Sequence, residues 1–191
     1  MIKVFLIHGM SGLPNGGWRP WLMGELERTK TYACALPMPH STAPDAKEWI
    51  EEIARQIDIL EDDKLYLIGH SLGATAVLRY LESGLSRKVE GIILVSGPYW
   101  NKGIGMLGSF LDKTFDIKKI KDTCANIVFI HGDNDETVPV EHSQIMSKKL
   151  GGKLIIVPNG RHLSGADGWR TLPQCLDELR SMMEKIGATR L

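Results

Sequence analysis

The chain has no long hydrophobic run. Its most apolar pieces, IILV at 92–95 and IVFI at 127–130, fall far short of the roughly 18 residues a membrane span needs. No secretory leader is expected either, because MIKVFLI runs straight into His8-Gly9 without a cleavage pattern. Cysteine is scarce. Cys34, Cys124 and Cys175 are too few and too scattered for a disulfide framework or a metal site, so a cytoplasmic protein with reduced thiols is expected. Neither sign of charge is in excess: 23 Lys and Arg balance 23 Asp and Glu. That balance argues against a nucleic-acid partner, which calls for a basic face. Internal repeats, low-complexity tracts and linkers are also lacking. The 191 residues therefore read as a single domain over 1–191, long enough to bury roughly 70% of the unfolded chain's surface.

What is present alternates between two kinds of segment. IKVFLI (2–7), TYACAL (31–36), KLYLIG (64–69), VEGIILV (89–95), NIVFI (126–130) and KLIIVP (153–158) read as strands. Most lack polar–apolar alternation, as strands covered on both faces of a parallel sheet should. Between them, 45–60 carries Trp49, Ile50, Ile53, Ile57 and Leu60 at helical spacing, with Asp45 placed to cap and Glu48 placed to reach back. Segment 72–83 carries a second stripe stopped by Gly84, and 171–186 a third that begins near Pro173. The pattern predicts an α/β fold of about six mostly parallel strands flanked by helices. The irregular stretch 97–125 holds Tyr99, Trp100, Phe110 and Phe115, aromatic enough to be folded over something.

The strongest motif is Gly69-His70-Ser71-Leu72-Gly73, after a strand and before a helical stripe. At such a junction G-x-S-x-G makes a turn so sharp that the serine backbone is strained and its neighbours must be glycine. The hydroxyl then stands above the sheet edge at a helix N-terminus, where developing negative charge is favoured. The plainer alternative is a tight turn in which Ser71 only caps the helix.

A serine nucleophile needs a base, and the base an orienting carboxylate. Of six histidines, His162 follows a strand in the Gly160-Arg161-His162 loop and so lies at the same sheet edge as Ser71. His8 and His131 precede glycines and read as turn-packing residues. His142 reads as the solvated face of a helix, and His40 as surface. The acid should come from His131-Gly132-Asp133-Asn134-Asp135-Glu136, where Asp135 is preferred over Asp133, with Glu136 third. Backbone amides of Leu72 and Met10 are the expected oxyanion donors. Gly103 through Gly108 match G-x-G-x-x-G, but they do not end a strand, so no nucleotide site is expected.

With HG after the first strand, GHSLG at the elbow, HGDNDETVP and a late histidine, the sequence resembles the α/β-hydrolase superfamily over nearly its whole length. It is similar in particular to the small lidless serine hydrolases of the retinoblastoma-binding-protein type and their compact bacterial relatives. They share a Trp-containing first loop (Trp18, Trp21), the ILVSG strand and the segment His162 through Gly168. The resemblance implies a three-layer fold without a large cap domain and a Ser71-Asp135-His162 triad with Met10 as second oxyanion donor. Arg161 departs from the small residue common before the histidine; it would either crowd the base or position an anionic substrate.

The expected reaction is hydrolysis of a carboxylic ester or thioester, with an amide as a further option, requiring no metal or organic cofactor. The alternatives are a partner-binding protein on the same scaffold and an acyltransferase. Trp18, Tyr99, Trp100 and Phe110 are candidates for the acyl pocket, with burial in the core the equal alternative. The expected partner is a small acyl substrate; a protein partner is not readable from sequence.

Overall fold

A computed structural model describes residues 1–57, 60, 62–101 and 107–188, with side chains to residue 185. Six strands form one sheet: β1 (Ile2–Ile7), β2 (Tyr32–Leu36), β3 (Lys64–His70), β4 (Gly91–Val95), β5 (Ile127–Gly132) and β6 (Lys153–Val157). Every pairing is parallel and the spatial order is β2-β1-β3-β4-β5-β6. The helices described are α1 (Arg19–Glu27), α2 (Ala46–Gln56), α3 (Leu72–Glu82), α4 (Gly108–Leu111), α5 (Ile117–Thr123), α6 (Glu141–Leu150) and α7 (Pro173–Ala188).

Strand alternation sorts the apolar side chains into two cores. Phe5, Ile7, Leu67 and Phe129 face Trp49, Ile53, Val77 and Met146 from α2, α3 and α6. Val4, Leu6, Ile68 and Ile93 face Leu22, Leu26, Leu176 and Leu179 from α1 and α7. A sheet sandwiched in this way has no solvent face in its middle strands, which accounts for their unbroken apolar runs.

Asp45 caps α2 as expected, its carboxylate accepting from the amides of Lys47 and Glu48. The Glu48 side chain instead meets His40, and the helix ends at Gln56, leaving Leu60 73% exposed. Two helices carried little periodic signal. In α1, Leu22 and Leu26 bury one turn apart around Gly24, and the N-cap residue Trp18 makes no side-chain cap. In α6, His142, Ser143 and Ser147 share the buried face with Met146 and Leu150, so polar residues occupy core positions.

The described residues between β4 and β5 pack over the α2–α3 layer. Phe110 packs edge-on against Trp49 at 5.5 Å, and Tyr99 lies between Phe115 and Phe129. The G-x-G-x-x-G match falls largely outside the described residues; its last glycine, Gly108, begins the four-residue α4.

Candidate active site

The strand order reverses direction at β1, whose neighbours β2 and β3 take the chain to opposite sides. Loops leaving β1 and β3 therefore diverge and open a crevice at the carboxyl edge of the sheet. Ser71 sits at this edge, between the last residue of β3 and the first of α3. Its backbone has φ 55° and ψ −126°, a conformation that costs a non-glycine residue about 1–3 kcal/mol. The glycines make that turn possible. A Cβ at Gly69 would lie 2.5 Å from Ala74 N, and one at Gly73 would lie 2.6 Å from His8 O.

His162, carried by the loop after β6, reaches back to Ser71. Its Nε2 is 2.9 Å from Ser71 Oγ, and its Nδ1 is 2.8 Å from Asp135 Oδ2. Three distant segments thus converge on one hydroxyl–imidazole–carboxylate chain. Asp133 is turned to other work, accepting from the Asn159 amide.

The Asp135 carboxylate is buried and fully engaged. Oδ1 accepts from the amides of Thr137 and Val138, while Oδ2 faces both His162 and, at 3.2 Å, His131 Nε2. Burial alone would raise its pKa. The hydrogen bonds from His131 and His162, the His162 charge and the Val138 amide outweigh that and hold it well below the usual carboxylate range.

His131 does more than pack a turn. Its Nε2 also lies 2.8 Å from the Val138 carbonyl, so this nitrogen faces two acceptors and carries the hydrogen. Its Nδ1 then accepts from the Ser143 hydroxyl at 2.6 Å. A buried chain Ser143–His131–Asp135–His162–Ser71 results. The polar face of α6, which the sequence presents as solvated, supplies its far end.

The His162 loop is held in an unusual shape. Asn159, Arg161 and Leu163 all have positive φ, and three ring N–H groups clamp the segment. His70 Nε2 donates to His162 O at 2.9 Å, Trp18 Nε1 to Leu163 O at 3.0 Å, and Trp169 Nε1 to Gly160 O at 2.9 Å. Burial, followed by repulsion from His162, pushes the His70 imidazole down to about 3, which keeps it a neutral donor.

A cavity of about 350 Å³ opens beside Ser71, with Met10, Trp18, Arg19, His70 and His162 among its walls. Of the aromatic pocket candidates only Trp18 lines it. Tyr99 and Phe110 are buried in the core, because residues 97–99 and the helices α4 and α5 pack inward over α2 and α3. Trp100 stacks flat on His142 at 3.6 Å instead of facing the cavity. His142 is itself 3% exposed, its Nδ1 accepting from the Tyr99 amide, which corrects the expectation of a solvated face. Arg161 lies outside this cavity: its amide donates to Asn134 Oδ1, and it lines an adjoining hollow with Glu136, Asp167 and the shared His162.

The family model for serine hydrolases matches residues 4–181. The chain is 32% identical over 185 residues to YdeN of Bacillus subtilis (strain 168), described as a hydrolase, with 96% of this chain and 97% of YdeN covered. The crystal structure of the ydeN gene product superposes with a TM-score of 0.89 at 31% identity, covering 96% of this chain and 100% of that one. The serine hydrolase RBBP9 of Rattus norvegicus is 25% identical over 172 residues, with 86% of this chain and 89% of that protein covered. The polypeptide belongs to the serine hydrolase family.

Proposed function

We propose that this hydrolase cleaves carboxylic esters or thioesters by acyl transfer to Ser71, within one domain that spans the chain. The observation that carries this reading is the His162 ring, hydrogen-bonded through one nitrogen to Ser71 Oγ and through the other to Asp135. Ser71 attacks the acyl carbon while His162 Nε2 takes its proton, and Asp135 holds the imidazole in orientation and stabilises its charged form. The oxyanion falls to the amides of Leu72, at the start of α3, and Met10, in the cavity wall. Gly9 brings the β1 loop so close that a Cβ there would lie 2.7 Å from Ser71 Cβ. No carbonyl hydrogen-bonds either amide among the described residues. His162 then protonates the departing alcohol or thiol, and deprotonates the water that releases the acid.

Two features support a small hydrolase working in a reducing compartment: Cys34, Cys124 and Cys175 are all free thiols, and burial raises the last two. The test is hydrolysis of a p-nitrophenyl ester by the wild type and by Ser71→Ala, with the fold monitored by circular dichroism. Turnover should fall by about a million-fold. Turnover that survives in a folded Ser71→Ala protein would end the proposal.

A further inference from the structure

The cavity beside Ser71 has one feature that ester cleavage does not require. Arg19, the first residue of α1, contributes to its wall yet is only 6% exposed. Buried guanidinium groups are normally paired with a carboxylate. Arg19 is not: it enters no ion pair among the described residues. It hydrogen-bonds only main-chain oxygens, Nε to Pro14 O at 3.3 Å and one Nη to Leu13 O at 2.8 Å, and its guanidinium carbon lies 5.9 Å from the centroid of the Trp18 ring. Those bonds fix the fork in the loop that forms the cavity rim, and they leave Nη1 without a protein partner among the described residues. The rim is fitted around it, since a Cβ at Gly16 would lie 2.8 Å from the bonded Nη.

The other walls make the charge stand out. No Asp or Glu lines the cavity, and Ser11 and Ser164 are neutral. His70 is kept uncharged, and the Arg19 charge further disfavours protonation of both His70 and His8. Desolvation pushes the guanidinium itself down to about 10, still cationic at neutral pH. A desolvated, geometrically fixed cation with an unused donor nitrogen, lining a cavity without carboxylates, makes an anion subsite.

We propose that the substrate is an ester whose acyl chain carries a carboxylate, bound by Arg19 while Ser71 attacks the ester carbonyl. This inference rests on Ser71 being the nucleophile. Arg161, the cation that sequence alone offered for an anionic substrate, lines an adjoining hollow that shares only His162 with this cavity, where Glu136 and Asp167 accompany it, and so leaves this place to Arg19.

The experiment compares p-nitrophenyl hydrogen adipate with p-nitrophenyl hexanoate, which match in chain length and differ in the terminal carboxylate. Ser71→Ala serves as the blank. The wild type should show the higher kcat/KM on the adipate, and the ratio of the two values should fall about 10- to 100-fold in Arg19→Met. Arg19→Lys should restore part of it, since charge returns without the fork. A ratio unchanged in Arg19→Met would overturn the proposal, as would a wild-type preference for the hexanoate. Should Arg19→Met fold poorly, the wild type alone decides. Adipate, but not adipamide, should slow labelling of Ser71 by a fluorophosphonate, and added salt should weaken that protection. Equal protection by the two would contradict the anion subsite. Hexanoate hydrolysis that persists in Ser71→Ala would instead overturn the nucleophile assignment.

Discussion

The ring of His70 donates a hydrogen bond to the backbone carbonyl of His162, joining residues 92 positions apart. The residue just before Ser71 therefore holds the loop that carries His162, and the two cannot drift independently. Replacing His70 by Leu leaves that carbonyl unpaired beside a strained loop. We expect a stability loss of about 1–3 kcal/mol, measured by urea unfolding, and a fall in kcat of up to about 100-fold from misplacement of His162.

The same residue predicts a pH dependence of stability. His70 titrates near 6.5 when unfolded but is pushed down to about 3 in the fold. The unfolded chain thus takes up the proton first, and stability falls as pH drops from about 6.5 toward 3, at about 1.4 kcal/mol per unit. Asp135, held below the usual carboxylate range, adds a loss with the same sign below about pH 4. Unfolding free energies measured from pH 7 to pH 4 should show the histidine slope, and His70→Gln should lessen it, the remainder coming from His8, whose pKa burial also lowers.

Asp135→Asn should lower kcat about 10⁴-fold, because an amide at this position favours the wrong imidazole tautomer. Asp133→Asn should cost no more than about 1 kcal/mol of stability, through its bond to the Asn159 amide, with kcat within threefold of wild type. The reverse order of effects would move the acid to Asp133.

His131→Leu removes the second imidazole on the Asp135 carboxylate and orphans the Ser143 hydroxyl. A drop in kcat of roughly 10- to 100-fold is expected, with KM within threefold, since the substituted ring positions the acid and does not line the cavity beside Ser71. An effect on KM alone would place His131 in substrate binding instead.

Phe110→Ala should destabilise the fold by about 3–5 kcal/mol, as expected for an aromatic lost from a packed core against Trp49. A change in KM without a change in stability would return Phe110 to the pocket.

Features with a local cause were legible in the sequence. The strands show as apolar runs because both sheet faces are covered, and the elbow shows because Gly69 and Gly73 are sterically compelled. The order of motifs along a parallel sheet points to His162 and favours Asp135, since each follows a strand end. Features that depend on tertiary packing were hidden. Helix α6 turns His142, Ser143 and Ser147 inward, so its buried face reads as polar. Tyr99 and Phe110 face the core only because α4 and α5 pack against the α2–α3 layer. His131 looks like a turn residue until the loop brings Asp135 back against its ring. Arg19 sits in a helix with no capping signal, and its missing counter-charge is visible only once its neighbours in space are known.

Peptide mapping by mass spectrometry after fluorophosphonate treatment addresses Ser71 most directly. A single adduct on the hydroxyl of residue 71, formed at least a hundredfold more slowly in His162→Ala, is the expected result. An adduct on another residue, or labelling at the same rate without the imidazole, would mean that the three converging side chains do not act together.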